Sequence, residues 1–217
     1  MNKKNRIIVC LIIILVFGLL CSQVKAENSF DSSVSEKWGD YLGEIFKSKS
    51  KNRSNLQNDI YAEGNDITIS IEEMEQTTFF FKLQGNSGTD AEELAYEYMK
   101  ESAALYSEAL KKGYTVTDEE VMEHVEELKA TVEDDSLDEA SRSQIESVMS
   151  GFGSEEDYWE YQKQVYQKLL VSQKYVDELQ RDFYNDSSVS QEEWNDYFEE
   201  LKRTLVQKEN FQIVGEL

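Results

Sequence analysis

Proline is absent from all 217 residues, and glycine numbers only ten. No folding step can wait on prolyl isomerisation, and long uninterrupted helices follow naturally. The two cysteines, Cys10 and Cys21, both fall within the first 26 residues. Beyond them no disulfide can hold the chain, so folding rests on core burial. Histidine occurs once, as His124 between Met122 and Val125 on an expected helix. General acid–base catalysis is therefore nearly unsupported, and with no second histidine and no HExxH pattern there is no zinc site. The glycines fit no phosphate-cradling loop, and Ser and Thr nucleophiles lack a credible base. No catalytic residue, metal ligand or cofactor is expected, and the chain is read as not an enzyme.

Positive charge is scarce as well, with 22 Lys and Arg against 44 Asp and Glu. Four of the basic residues, Lys3, Lys4, Arg6 and Lys25, precede residue 27, which leaves 18 basic against 44 acidic residues and a net charge of −26 in the remainder. Nucleic-acid binding needs Lys and Arg to neutralise phosphates, so this balance argues against DNA or RNA as a partner. The same field repels an anionic membrane surface. Carboxylate clusters at Glu119-Glu120, Glu126-Glu127, Glu133-Asp134-Asp135 and Glu155-Glu156-Asp157 lack calcium-loop spacing and read as solvated helix faces and helix-start charge.

What is present begins with the first 26 residues: a basic start through Arg6, an apolar run over residues 7–20, then Val24-Lys25-Ala26. The run is shorter than the ~20 residues of a spanning helix, and its short polar tail is the layout of a cleavable secretory signal, cut after Ala26. The chain is expected to be extracytoplasmic, secreted or in the cell envelope. A membrane would be met only through an uncleaved signal or a lipid on Cys21, although Leu20 stands where lipoprotein processing favours a small residue. With 40% hydrophobic and 12% aromatic residues, the chain is too apolar to be read as disordered.

Three segments are expected: the signal at 1–26, a polar segment at 27–58, and one domain at 59–217. In the polar segment Trp38, Tyr41, Leu42, Ile45 and Phe46 recur at helical spacing, which predicts a short amphipathic helix before a tether. That helix could pack on the body, touch the membrane or meet a partner. Ile60, Ala62, Ile67 and Ile69 flank Gly64-Asn65-Asp66 and predict a β-hairpin. Helix-start pairs follow at Ser70/Glu73, Thr89/Glu92, Thr117/Glu120, Ser136/Glu139 and Ser190/Glu193, with a weaker one at Ser154/Asp157. They predict six helices, the longest over about 155–184. Alternating Phe211, Ile213 and Leu217 predict a terminal strand, which must find ladder partners and is expected to join the hairpin.

The aromatic load is 12 Tyr, 10 Phe and 3 Trp. Core packing accounts for most of it, yet Tyr158, Trp159 and Tyr161 follow one another closely on the longest helix, and Phe79-Phe80-Phe81 form a run. Exposed rings, with large apolar area and few rotamers, make a tolerant surface for other polypeptides.

The segment from Ala62 to Glu73, reading Ala-Glu-Gly-Asn-Asp-Ile-Thr-Ile-Ser-Ile-Glu-Glu, resembles the strand-turn-strand-helix entry of the SurA-like N-terminal chaperone domain family. Gly64 stands for the usual Val, and Asp66 for the usual Gly. Glu108 to Val121 is similar to that family's Ala-x-x-x-Gly, small loop, Val-Thr-Asp-Glu-Glu-Val signature. Gly153 to Trp159 resembles the acidic, aromatic start of its long helix. The resemblance spans 59–217. It implies a mostly α, multi-helix chaperone domain with a small β-hairpin joined by the C-terminal strand. The family, which includes PrsA-type foldases and relatives of trigger factor, acts on newly exported proteins. Many members insert a parvulin isomerase module between the long helix and the closing segment, and here the gap between Tyr184 and Trp194 is too short for one. The resemblance thus implies a holdase for unfolded or newly exported polypeptides, with Phe79, Phe80, Phe81, Tyr158, Trp159 and Tyr161 as contributors to an aromatic-lined cradle and without prolyl isomerase activity. The alternative is an envelope adaptor or assembly subunit holding one folded partner.

Overall fold

A computed structural model describes residues 32–51, 60–185 and 189–217. The export signal, its cut after Ala26 and the lipid on Cys21 lie outside the described residues. Among those residues the fold is mostly helical, with one small antiparallel sheet. In chain order it contains α1 (Ser32–Lys51), β1 (Ile60–Glu63), β2 (Thr68–Ser70), α2 (Ile71–Leu83), α3 (Gly88–Lys111), α4 (Asp118–Glu133), α5 (Glu139–Ser150), α6 (Glu155–Phe183), α7 (Gln191–Glu209) and β3 (Gln212–Ile213).

The hairpin turns where its glycine predicts, with the Gly64 N–H donating to the Ile67 carbonyl at 2.8 Å. β1 lies between β2 and β3, both antiparallel to it, with Ala62 opposite Ile69 and also opposite Ile213. The terminal strand therefore joins the hairpin, as its unpaired ladder groups require, although it is only two residues long. Val214 and Gly215 continue the tie by donating to the Tyr61 carbonyl.

Ser70 ends β2 and starts α2. Its hydroxyl accepts from the Glu73 amide at 3.2 Å while Glu73 accepts the Ser70 N–H at 3.0 Å. Reciprocal bonds of the same kind start α4 at Thr117/Glu120 and α7 at Ser190/Glu193, and Ser154 accepts from the Asp157 amide ahead of α6. Two starts differ from expectation. α3 is capped by Ser87 rather than Thr89. α5 is capped by Asp138, whose carboxylate accepts the amide and the hydroxyl of Ser141 at 3.0 and 2.7 Å. Ser136 is instead held in the preceding turn by Asp134, at 2.7 Å. The end of α3 needs a left-handed residue, which Gly113 supplies at φ 89°, and Tyr114 then donates back to the Ala109 carbonyl at 3.1 Å.

The chain divides into two compact units. The first takes α1, α4, α5 and α6 through Lys168; the second takes the sheet, α2, α3, α6 from Leu169, and α7. In the first unit α1 packs on α5. Trp38, Leu42 and Phe46 are buried, each worth roughly 1.5–3 kcal/mol of apolar burial. Gly39 and Gly43 make that seating possible, because a Cβ on either would collide with the backbone of Val148 or Gly151.

In the second unit, α3 packs against α2, the sheet and α7. Sequence periodicity points to Leu94, Tyr98, Leu105 and Ala109 as its inward face. The structure buries Leu105 and Ala109 as that pattern requires, but leaves Leu94 43% exposed and Tyr98 half-buried, and over the first half of the helix buries the line Ala91, Ala95, Met99 and Ala103 instead. The alanines permit close approach by the hairpin residues Ala62 and Ile69 and by Met74 of α2, all in one cluster, so backbone proximity outweighs side-chain size. Lys202 of α7, buried, reaches Glu101 of α3 at 2.8 Å and Glu199 at 2.9 Å. Lys208 pairs with Glu108 at 3.0 Å. These pairs align α7 along α3.

Candidate functional site

The six rings singled out in the sequence fall in two places. Phe79, Phe80 and Phe81 lie on α2 in the second unit; Phe80 is buried, while Phe79 and Phe81 are half-buried. The rings of Phe80 and Phe81 meet edge to face at 5.9 Å. Tyr158, Trp159 and Tyr161 lie on α6 in the first unit, and all three are buried. The six are therefore not one exposed lining. Four of them face protein because neighbouring elements cover more than one side of their helices, which no single-helix pattern can reveal.

The α6 set belongs to a larger cluster. Phe152, in the turn before α6, meets Tyr158 at 5.3 Å and Tyr161 at 5.4 Å, and Phe46 of α1 meets Phe152 at 6.2 Å and Tyr161 at 6.4 Å. Trp159 donates to Glu155 at 3.0 Å and has Lys129 5.6 Å from its ring centre. Burial pushes the Tyr158 phenol well above the usual tyrosine range, against the lowering effect of its bond with Gln162.

A second ring cluster, not anticipated as a site, forms where the end of α6 meets the start of α7. Phe183 contacts Tyr197 at 5.2 Å and Trp194 at 5.4 Å; Tyr184 lies 6.2 Å from Trp194; Trp194 stacks on Phe198 at 5.5 Å. Its base is buried, at Trp194 and Phe198, whereas Tyr197 is 41% exposed and Phe183 and Tyr184 are half-buried. Lys202 sits 5.6 Å from the Phe198 ring centre, and through Glu101 it fixes the base to α3. Asp182, Glu192 and Asp196 on the same helix ends are exposed. The arrangement is an apolar ring surface, firm beneath and partly open above, beside negative charge. Its members stand in the sequence as helix-face residues, but only the fold brings the two helix ends together.

At the other end of α7 the second unit holds a polar node. Glu209, 2% exposed, accepts from Ser107 at 2.7 Å, from Lys111 at 2.8 Å and from the Asp66 amide at 2.8 Å. Burial raises its pKa, but the bonds from Lys111, Ser107 and Asp66 prevail and hold the carboxyl below the usual range. Nearby, Tyr175 packs 5.5 Å from Tyr114, and burial, then the charge of Glu108, pushes its phenol up to about 12. These groups order the unit.

No family model, curated protein or solved structure matches this chain. Among the described residues, no helix is long and apolar enough to cross a membrane, and no group of three or more His, Cys, Asp or Glu could hold a metal ion.

Proposed function

We propose that this chain is an exported holdase-type chaperone of SurA-like N-terminal architecture, lacking an isomerase module. It binds unfolded or newly secreted polypeptides through aromatic surface. The observation that carries the reading is the ring surface of Phe183, Tyr184 and Tyr197, partly open to solvent on the buried base of Trp194 and Phe198. It occupies the point in the chain where relatives of the resembled family insert their isomerase. Support also comes from the hairpin joined by the terminal strand, the arrangement implied by the resemblance. Apolar burial of about 25 cal/mol per Å² over a few rings gives weak, fast, sequence-tolerant binding, and the acidic exterior keeps loaded complexes apart. Export rests on the N-terminal sequence.

The test is light scattering of a chemically unfolded client diluted into buffer with a few-fold excess of the protein. Slower aggregation is the expected result, with no acceleration of prolyl isomerisation in a peptide assay. An unchanged aggregation rate, together with capture of a single stoichiometric folded partner from the native envelope, would replace the chaperone with an adaptor.

A further inference from the structure

We propose that α1 is an internal occupant of a second client surface, formed by α5, the 151–154 turn and the first half of α6, and that an incoming unfolded segment displaces it. The proposal rests on the chaperone reading above and names where and how a client is taken.

The rings under α1 are the ones that its removal would uncover. Phe46 lies against Phe152 and Tyr161, and Phe152 in turn lies against Tyr158. The frame beneath has ties of its own that do not involve α1. Arg142 of α5 donates to the carbonyls of Val132 and Asp134 at 2.8 and 2.9 Å, which fastens α5 to the end of α4. Gln167 of α6 bonds Asp118 at 3.2 Å, and Tyr166 packs 4.4 Å from His124, which fastens α6 to α4. A surface held in shape from behind can lose its cover and remain a surface.

The seating of α1 has a different character. It depends on apolar contact and on backbone approach at Gly39 and Gly43. Two polar contacts tie it to the frame at the long edge of hydrogen bonding, Lys47 to the Gly151 carbonyl at 3.4 Å and Ser32 with Ser143 at 3.5 Å. The Ser35 hydroxyl is fully buried and has no hydrogen-bond partner among the described residues. That penalty applies only while α1 is docked and is relieved when water reaches the hydroxyl. Residues 52–59, polar except for Leu56, link α1 to β1. This covalent link keeps α1 at high effective concentration, so it re-docks when a client leaves.

α1 also indicates what the surface accepts: a segment able to turn helical, with bulky apolar residues spaced like Trp38, Leu42 and Phe46 beside small ones spaced like Ser35, Gly39 and Gly43. Unfolded exported chains expose such amphipathic segments. A folded partner does not.

A reversible staple tests this. With Cys10→Ser and Cys21→Ser in the full chain, Ser32→Cys and Ser143→Cys place two thiols where hydroxyl oxygens stand 3.5 Å apart, a gap that side-chain rotation closes by about 1.5 Å to the disulfide length. The oxidised protein should protect an unfolded client at least five-fold less well than the same protein reduced. Hydrogen exchange on the unmodified chain gives an independent readout: adding client should speed exchange in Ser32–Lys51 and slow it in residues 155–166. Equal protection in both redox states, or exchange in α1 indifferent to client, overturns the displacement while leaving the chaperone reading intact. A reduced protein that protects no client ends the chaperone reading, and this inference with it.

Discussion

The carboxylate of Glu209 accepts a hydrogen bond from the backbone N–H of Asp66, 143 residues earlier in the chain, at 2.8 Å. The same carboxylate holds Lys111, which also reaches the Asp66 carboxylate at 2.6 Å, and the neighbouring Asn65 N–H donates to the Glu209 carbonyl at 2.7 Å. One buried side chain thus ties the hairpin turn, the end of α3 and the end of α7. Gly64 accommodates the arrangement, since a Cβ there would come within 3.0 Å of Glu209 and 2.8 Å of the Phe211 ring.

Glu209→Ala should therefore destabilise the second unit by about 3 kcal/mol, because it leaves a buried amide, a hydroxyl and an ammonium without their shared acceptor. Glu209→Gln, which keeps an acceptor oxygen, should cost less. Urea midpoints of the two variants provide the comparison, and equal loss in both would show that charge rather than acceptor geometry governs the node.

The same group sets an acid limb. Its carboxyl titrates lower in the folded protein than in the unfolded chain, so its contribution is present above the ordinary carboxylate range and disappears as pH falls through the folded value. Glu108, lowered chiefly by its bond from Lys208, acts in the same sense. Stability measured from pH 6 down to pH 2 should fall, and Glu209→Gln should flatten that fall.

At the alkaline end the sign reverses. Burial, then the charge of Glu108, pushes the folded Tyr175 phenol up to about 12, above the ordinary tyrosine value of 10.0, so its contribution is complete below pH 10 and is lost as pH rises toward 12. Buried Tyr158 and Tyr166 are shifted in the same direction. Thermal unfolding followed between pH 9 and 12 should show a declining midpoint, and Tyr175→Phe should make the decline shallower.

Replacing glycine with alanine inside a helix ordinarily stabilises by up to ~1 kcal/mol. At Gly43 the sign should invert, with a loss of about 2 kcal/mol, because the added Cβ meets the Gly151 backbone. Gly88, with nothing within 4 Å of a built Cβ, is the control and should be neutral or stabilised. Circular dichroism melts of both variants measure the contrast.

Tyr197→Glu tests the ring surface at α6 and α7. Tyr197 is 41% exposed, so the change should shift stability by less than about 1 kcal/mol yet reduce protection of an unfolded client several-fold. Unaltered protection would remove this surface from the client path.

Legibility in the sequence follows the range of the interaction. Ser70/Glu73, Thr117/Glu120 and Ser190/Glu193 were readable because a cap is completed within four residues. Ser136/Glu139 was misleading because Asp138, two residues on, is a competing acceptor that captures Ser141. The face of α3 is legible at Leu105 and Ala109 but not over its first half, because an alanine line gains burial only when a neighbour approaches closely, a fact that hydrophobicity does not encode. The candidate rings were visible as residue types, but their placement in two separate units was not.

The sequence by itself determined where α2, α4, α6 and α7 begin, where the chain reverses at Gly64, and that a terminal strand needing ladder partners would seek the hairpin. Each of these follows from local hydrogen-bond supply. Only the tertiary structure decided that α1 sits on α5, that Glu209 joins three elements, and that Phe183 meets Tyr197 beside half-exposed Tyr184. Those outcomes depend on which surfaces exclude water together, and the partners that exclude it lie far apart along the chain.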